Sequence, residues 1–203
     1  MAAKASDAGS IYRLKVTLRD IRPPVWRRIE VPGELTLAAL HDVLQTAFGW
    51  TESHLHQFDV DGALFAVPVA DGLGWGREVE DEVRARLCDV VGKRVKKFTY
   101  EYDFGDGWEH VIAVEAIVPA EPGSAYPRCL AGRRAGPPED CGGPWGYAKL
   151  LAAVADPDHP DHEDMCDWLG GGSDPGAFDV DAVNASLAPL RGRRRQPLRR
   201  PAR

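Results

Sequence analysis

The densest set of chemically capable residues is DFGDGWEH (103–110), where Asp103, Asp106, Glu109 and His110 stand within eight residues around a glycine turn. Carboxylates and an imidazole this close can do general acid–base work or hold a hard cation. The same residues also suit a structural turn, because aspartate bonds the backbone two residues on and glycine takes positive φ. His54-x-His56 is a second set. On a strand, positions i and i+2 share a face, so the two imidazoles would either chelate a transition metal or stack beside aromatic residues. Cys129 and Cys141 form a third. With His110 they would supply three donors of a tetrahedral zinc site; otherwise both thiols pack as small apolar groups. Zinc is therefore the cofactor to test.

A fourth set is RRAGPPEDCGG (133–143), in which Arg133, Glu139 and Asp140 flank two prolines and Gly142-Gly143 precedes a helix. Amides at a helix start can bind an anion, but the lysine and spacing of a nucleotide P-loop are missing. Trp108, Trp145 and Tyr147 lie beside these segments as ligand anchors or as ordinary core. DFG alone does not make a kinase, since no Gly-rich phosphate loop or catalytic-loop motif accompanies it. No G-x-S-x-G nucleophile motif occurs.

These residues need elements to hold them. Alternation over 11–19 predicts a strand with Tyr12, Leu14, Val16 and Leu18 on one face. Val25–Val31 reads as a second strand. Thr36 is placed to cap a helix carrying Leu37, Leu40, Leu44, Ala47 and Phe48. Strands near Leu55–Val60 and Leu64–Val67 are joined by Asp61-Gly62, a hairpin signal. A Gly-rich loop follows at 70–77, then a helix marked by Val79, Val83 and Leu87. Strands at 95–102 and Trp108–Val118 flank the DFGDG turn. Residues 119–146 read as a long Pro/Gly-rich loop. Helices at Tyr147–Val154 and Pro160–Leu169, the second stopped by Gly170–Gly172, precede a last one capped by Asp179. The order is α+β, with a β-grasp-like strand-strand-helix-strand-strand start, an extended mixed sheet and C-terminal helices packed against it. We expect a disordered stretch at 1–10, one domain over 11–190 and a disordered tail over 191–203.

Composition narrows the function classes. A chain of 203 residues with 44% hydrophobic and 28% charged residues builds a globular core. No apolar run reaches the ~18 residues of a membrane helix and no signal peptide is visible, so a cytoplasmic protein without membrane contact is expected. The net charge of −6 is unevenly spread: residues 191–203 hold seven arginines and no acid. Arg191, Arg193, Arg194, Arg195, Arg199 and Arg200 form either a solubilising tail or an arm that binds nucleic acid by counterion release.

Five segments resemble the plasmid pRiA4b ORF-3-like protein family: IYRLKVTLRDIRPPVWRRIEVP (11–32), HLHQFDVDG (54–62), YEYDFGDGWEHVI (100–112), PPEDCGGPWGY (137–147) and DHEDMCDWLGGGSDPGAFDVDAVN (161–184). The resemblance spans roughly 11–190. It implies an α+β fold and a prokaryotic protein, and brings no established activity. Some members carry a resolvase label from insertion elements, which suggests a mobile-element link. A serine recombinase needs an activated serine after its first strand, and Val16-Thr17-Leu18 offers none. The family pattern places a third cysteine before PPEDCGG, where this chain has Gly136. The resulting expectation is a non-enzymatic binding or adaptor protein. Its ligand face would combine the 103–110 turn, the 129–146 loop, His54 and His56, and its partner would be a protein or small ligand. The rival is a metal-dependent hydrolase or nuclease with Asp106 or Glu109 as base.

Overall fold

The computed structural model describes residues 9–68, 78–169 and 174–192. Strand β1 (Ser10–Leu18) follows its alternation, burying Tyr12, Leu14, Val16 and Leu18. It pairs antiparallel with β2 (Trp26–Pro32), Leu14 opposite Ile29. Helix α1 (Leu37–Phe48) starts where Thr36 Oγ1 accepts the Ala39 amide at 3.2 Å, and stops at Gly49 with φ 82°. β3 (His56–Val60) and β4 (Ala63–Ala66) turn at Asp61-Gly62, both at positive φ. Then come β5 (Val79–Asp81), the one-turn α2 (Leu87–Val90), β6 (Lys97–Tyr102), β7 (Trp108–Pro119) and β8 (Arg128–Arg133). Helices α3 (Gly143–Ala155), α4 (His162–Trp168) and α5 (Val180–Leu187) follow. Asp179 caps α5 through the Asp181 and Ala182 amides.

The strands form one sheet in the order β5-β4-β3-β6-β7-β1-β2-β8, antiparallel except for β4 beside β5. Its inner face carries Ile29, Phe58, Phe98, Tyr100, Tyr102, Trp108 and Ile112, all buried. Helix α1 covers that face: the Arg27 guanidinium donates to the Ala47 carbonyl at 2.8 Å, and the Phe48 ring meets His110 edge-on at 4.9 Å. The outer face stays charged, with Arg28 paired to Glu115 at 2.6 Å and Glu30 clasped by Arg13 and Arg128.

Three expectations change. The helix expected from Val79 to Leu87 is a three-residue strand and one helical turn. Three apolar residues spaced by four fit a helix, but the open edge of β4 offers Val79 a ladder partner in Leu64. The loop expected over 119–146 contains β8, which lacks clean alternation and exists because it pairs with the edge of β2. The strand-strand-helix-strand-strand start is present as β1-β2-α1-β3-β4, and the β6–β7 hairpin stands between its two hairpins in the sheet. Among the last helices, α3 reaches the core through Tyr147 and Leu150 and α5 through Leu187, whereas α4 buries no residue and packs on α3. The readings at 1–8, 70–77, 170–172 and 193–203 lie outside the described residues. No helix among the described residues is long and apolar enough to cross a membrane.

Candidate functional site

His54 and His56 do not meet on one face. The ladder of β3 begins at His56, so His54 precedes the strand and the alternation that would have aligned the two rings does not apply. His56 faces the core. Its Nε2 lies 2.8 Å from Glu82 Oε2, and its ring stacks on His41 with centroids 3.5 Å apart. His41 Nδ1 is 2.7 Å from the Tyr100 hydroxyl, which also accepts from Gln45 at 3.0 Å. Glu82 has no exposed surface.

His54 faces the rim instead. Its Nε2 is 3.0 Å from Asp140 Oδ1 and 3.6 Å from Asp103 Oδ2. One donor atom from each of the three residues lies within 4.8 Å of the others. They come from three separate segments, and local chemistry brings each there. Asp103 ends β6 at φ 56°, and its Oδ1 accepts the Gly105 and Asp106 amides at 3.0 and 3.3 Å. That turn leaves Oδ2 pointing outward to His54. Asp140, also at φ 56°, sits at the tip of the PPEDCGG loop. Aspartate tolerates this left-handed backbone better than most residues.

The loop is fastened at several points. Glu139 accepts from the Thr51 amide and hydroxyl and from the Tyr102 hydroxyl at 2.6 Å. Burial pushes the Glu139 carboxyl up, but these hydrogen bonds outweigh it and hold the pKa below the ordinary value. Burial and the hydrogen bond to Glu139 together raise the Tyr102 phenol. Trp50 Nε1 donates to the Pro137 carbonyl at 2.8 Å, and the Gly142 amide to Asp106 Oδ2 at 3.1 Å. Gly136 passes so close to α1 that a Cβ there would stand 2.0 Å from the Phe48 carbonyl oxygen. A cysteine does not fit at this position without moving backbone, so the glycine reflects close packing of the loop on the helix end.

The zinc set expected from His110, Cys129 and Cys141 is not assembled. His110 is fully buried among Phe48, Trp50 and Tyr100, with Nδ1 near the Trp108 and Tyr100 carbonyls. Burial lowers its pKa to about 3, so it is a neutral core imidazole at pH 7. Cys129 is buried on β8, its backbone tied to Asn184 in both directions, and burial raises its thiol pKa. Burial, then the charge of Asp106, push Cys141 up to about 12, so it is a thiol and a poor ligand or nucleophile. Among the described residues, neither cysteine belongs to a group of three converging His, Cys, Asp or Glu donors. The other such group, His41, Asp42 and Glu52, includes one ring of the buried histidine pair.

The remaining candidates divide between structure and surface. Glu109 pairs with Arg19. The Arg133 carbonyl accepts from Arg27. Trp108 and Tyr147 are buried and meet edge to face, so both belong to the core, while Trp145 is 83% exposed. Arg191 contacts the Pro127 carbonyl, and Arg193, Arg194, Arg195, Arg199 and Arg200 lie outside the described residues. Sequence reasoning missed Glu82 and His41. Glu82 lay in a segment read as helix, and nothing in its local pattern distinguishes a buried glutamate. Beside the rim, a cavity of about 660 Å³ opens between α3 and α4, lined by Leu150, Ala153, Met165 and Trp168 and reaching Asp140. Asp140 thus borders both the His54 cluster and the cavity.

Comparison with known proteins fits this arrangement of segments. The pattern of the plasmid pRiA4b ORF-3-like proteins matches residues 10–185. The chain belongs to this family. The chain is 42% identical over 182 residues to the uncharacterized protein y4hQ of Sinorhizobium fredii (strain NBRC 101917 / NGR234), covering 89% of each chain. Its fold matches the crystal structure of a protein of unknown function, MM3350, from Methanosarcina mazei Go1. That match has a TM-score of 0.78 and 36% identity over 85% of this chain and 96% of the other.

Proposed function

We propose that this pRiA4b ORF-3-like protein is a non-enzymatic binding protein that takes a small organic ligand between α3, α4 and the PPEDCGG loop. The observation that carries the reading is the position of Asp140, shared by the rim cluster and a cavity of about 660 Å³. That volume falls within the usual range for small-molecule sites, and an apolar lining with a few polar groups at the mouth is their common composition. Binding is favoured over hydrolysis because both acids considered as bases are engaged. Asp106 accepts from Gly142, and Glu109 pairs with Arg19. A base must reach the proton it removes.

The test uses an apolar fluorescent anion, 1-anilinonaphthalene-8-sulfonate. We expect saturable binding of about one dye per chain, weakened about tenfold or more by Ala152→Trp, which places bulk on an exposed wall of the cavity. Unsaturable binding, or equal binding by wild type and variant, rejects the reading.

A further inference from the structure

We infer that His54, Asp103 and Asp140 form a binding site for a divalent transition-metal cation of the zinc type. This deepens the binding reading by naming one ligand of the same face. Ligands at about 2.1 Å on a tetrahedral zinc stand about 3.4 Å from one another. The His54 Nε2 separations of 3.0 and 3.6 Å from the two carboxylate oxygens bracket that spacing. One imidazole and two carboxylates suit zinc or a neighbouring divalent metal better than a soft, thiolate-seeking one. Two aspartates also balance a charge of +2.

Two further observations point to a ligand. His54 Nε2 has no solvent contact and no aligned hydrogen-bond partner, although it faces two carboxylates. The Asp103 side chain is 90% buried, with Oδ2 turned toward His54. A buried ring nitrogen without an aligned hydrogen bond is rare and calls for an explanation. A cation placed between the three donors would use these lone pairs together. The supporting contacts are those expected around a metal: Oδ1 of Asp103 is held by two amides, and the neighbour of Asp140, Glu139, is fastened by Thr51 and Tyr102. A cavity of about 480 Å³ lined by Ser53, Leu55, Phe104 and Gly105 borders His54 and Asp103, and leaves room for a water or ligand atom as the fourth donor.

The experiment is Zn²⁺ titration of the full chain by calorimetry, with elemental mass spectrometry of protein purified without chelator or histidine tag. About one zinc per chain is expected. Asp103→Asn and Asp140→Asn remove a charge while keeping a residue that tolerates positive φ, so the fold is retained. Each should weaken zinc by about tenfold or more, and His54→Ala should abolish stoichiometric binding. Cys141→Ser and Cys166→Ser should change nothing; the latter removes the thiol 3.6 Å from His162 Nε2. No stoichiometric zinc, zinc retained by the Asp103→Asn/Asp140→Asn double variant, or zinc lost on changing either cysteine would overturn the site. The dye and metal readouts are separate. Dye binding without zinc sinks the cation alone, and zinc without dye binding sinks the cavity reading alone.

Discussion

His54 and His56 stand two residues apart and end in opposite settings. His56 is locked in the core against Glu82 and His41, while His54 waits at a rim between two carboxylates. The core imidazole has its charge partner inside the fold. The rim imidazole has partners that other segments bring and that solvent or a cation can reach. What separates them is one boundary, the point at which the β3 ladder starts. The difference teaches that buried polar chemistry here holds the fold together, whereas the unspent donors lie where three loops meet.

The comparison breaks most sharply in the core. His56→Ala should leave Glu82 buried and unpaired and cost about 3–5 kcal/mol in urea unfolding. A loss near the ~0.5 kcal/mol of an ordinary surface change would place the pair outside the stability core. Gly136→Cys drives a Cβ into the Phe48 carbonyl. It should cost about 3 kcal/mol and create no new zinc site, checked by melting and metal content. A stable variant with a second zinc would show that the loop can yield.

A smaller effect sharpens the contrast through pH. Folded His110 stays neutral down to about pH 3, while the unfolded chain takes up this proton near 6.5. The unfolded state therefore binds more protons below 6.5, and stability is lost as pH falls from 6.5 towards 3. Between pH 7 and 5 this amounts to about 2 kcal/mol. His110→Phe should flatten that part of the pH–stability curve; an unchanged slope would mean another group titrates. The smallest effect belongs to the rim. Asp140 is 71% exposed, and Asp140→Asn should alter stability by no more than about 0.5 kcal/mol while weakening zinc. A large loss of stability would make Asp140 a structural residue.

Much of the fold could be read locally. Tyr12, Leu14, Val16 and Leu18 announce β1 by period-two alternation, and Thr36 and Asp179 mark helix starts by chemistry that needs only neighbouring amides. β8 and β5 could not be read this way. Both are edge strands made by their partners, and the ladder that stabilises them is formed by residues about 100 and about 15 positions away. The site divides along the same line. Asp103, His54 and Asp140 could each be singled out by type and turn context, but nothing local says that they converge, or that His110 and Cys129 do not.

By itself, the sequence determined the α+β order of elements, the turn chemistry at Asp103 and the family, because alternation, caps and motifs act over a few residues. Only the tertiary structure decided which histidine would be sealed and which left at the rim. It also decided why residue 136 must be glycine and where Asp140 would meet its partners. Those outcomes depend on strand register and close backbone packing between segments distant in the chain, and no short-range pattern encodes them.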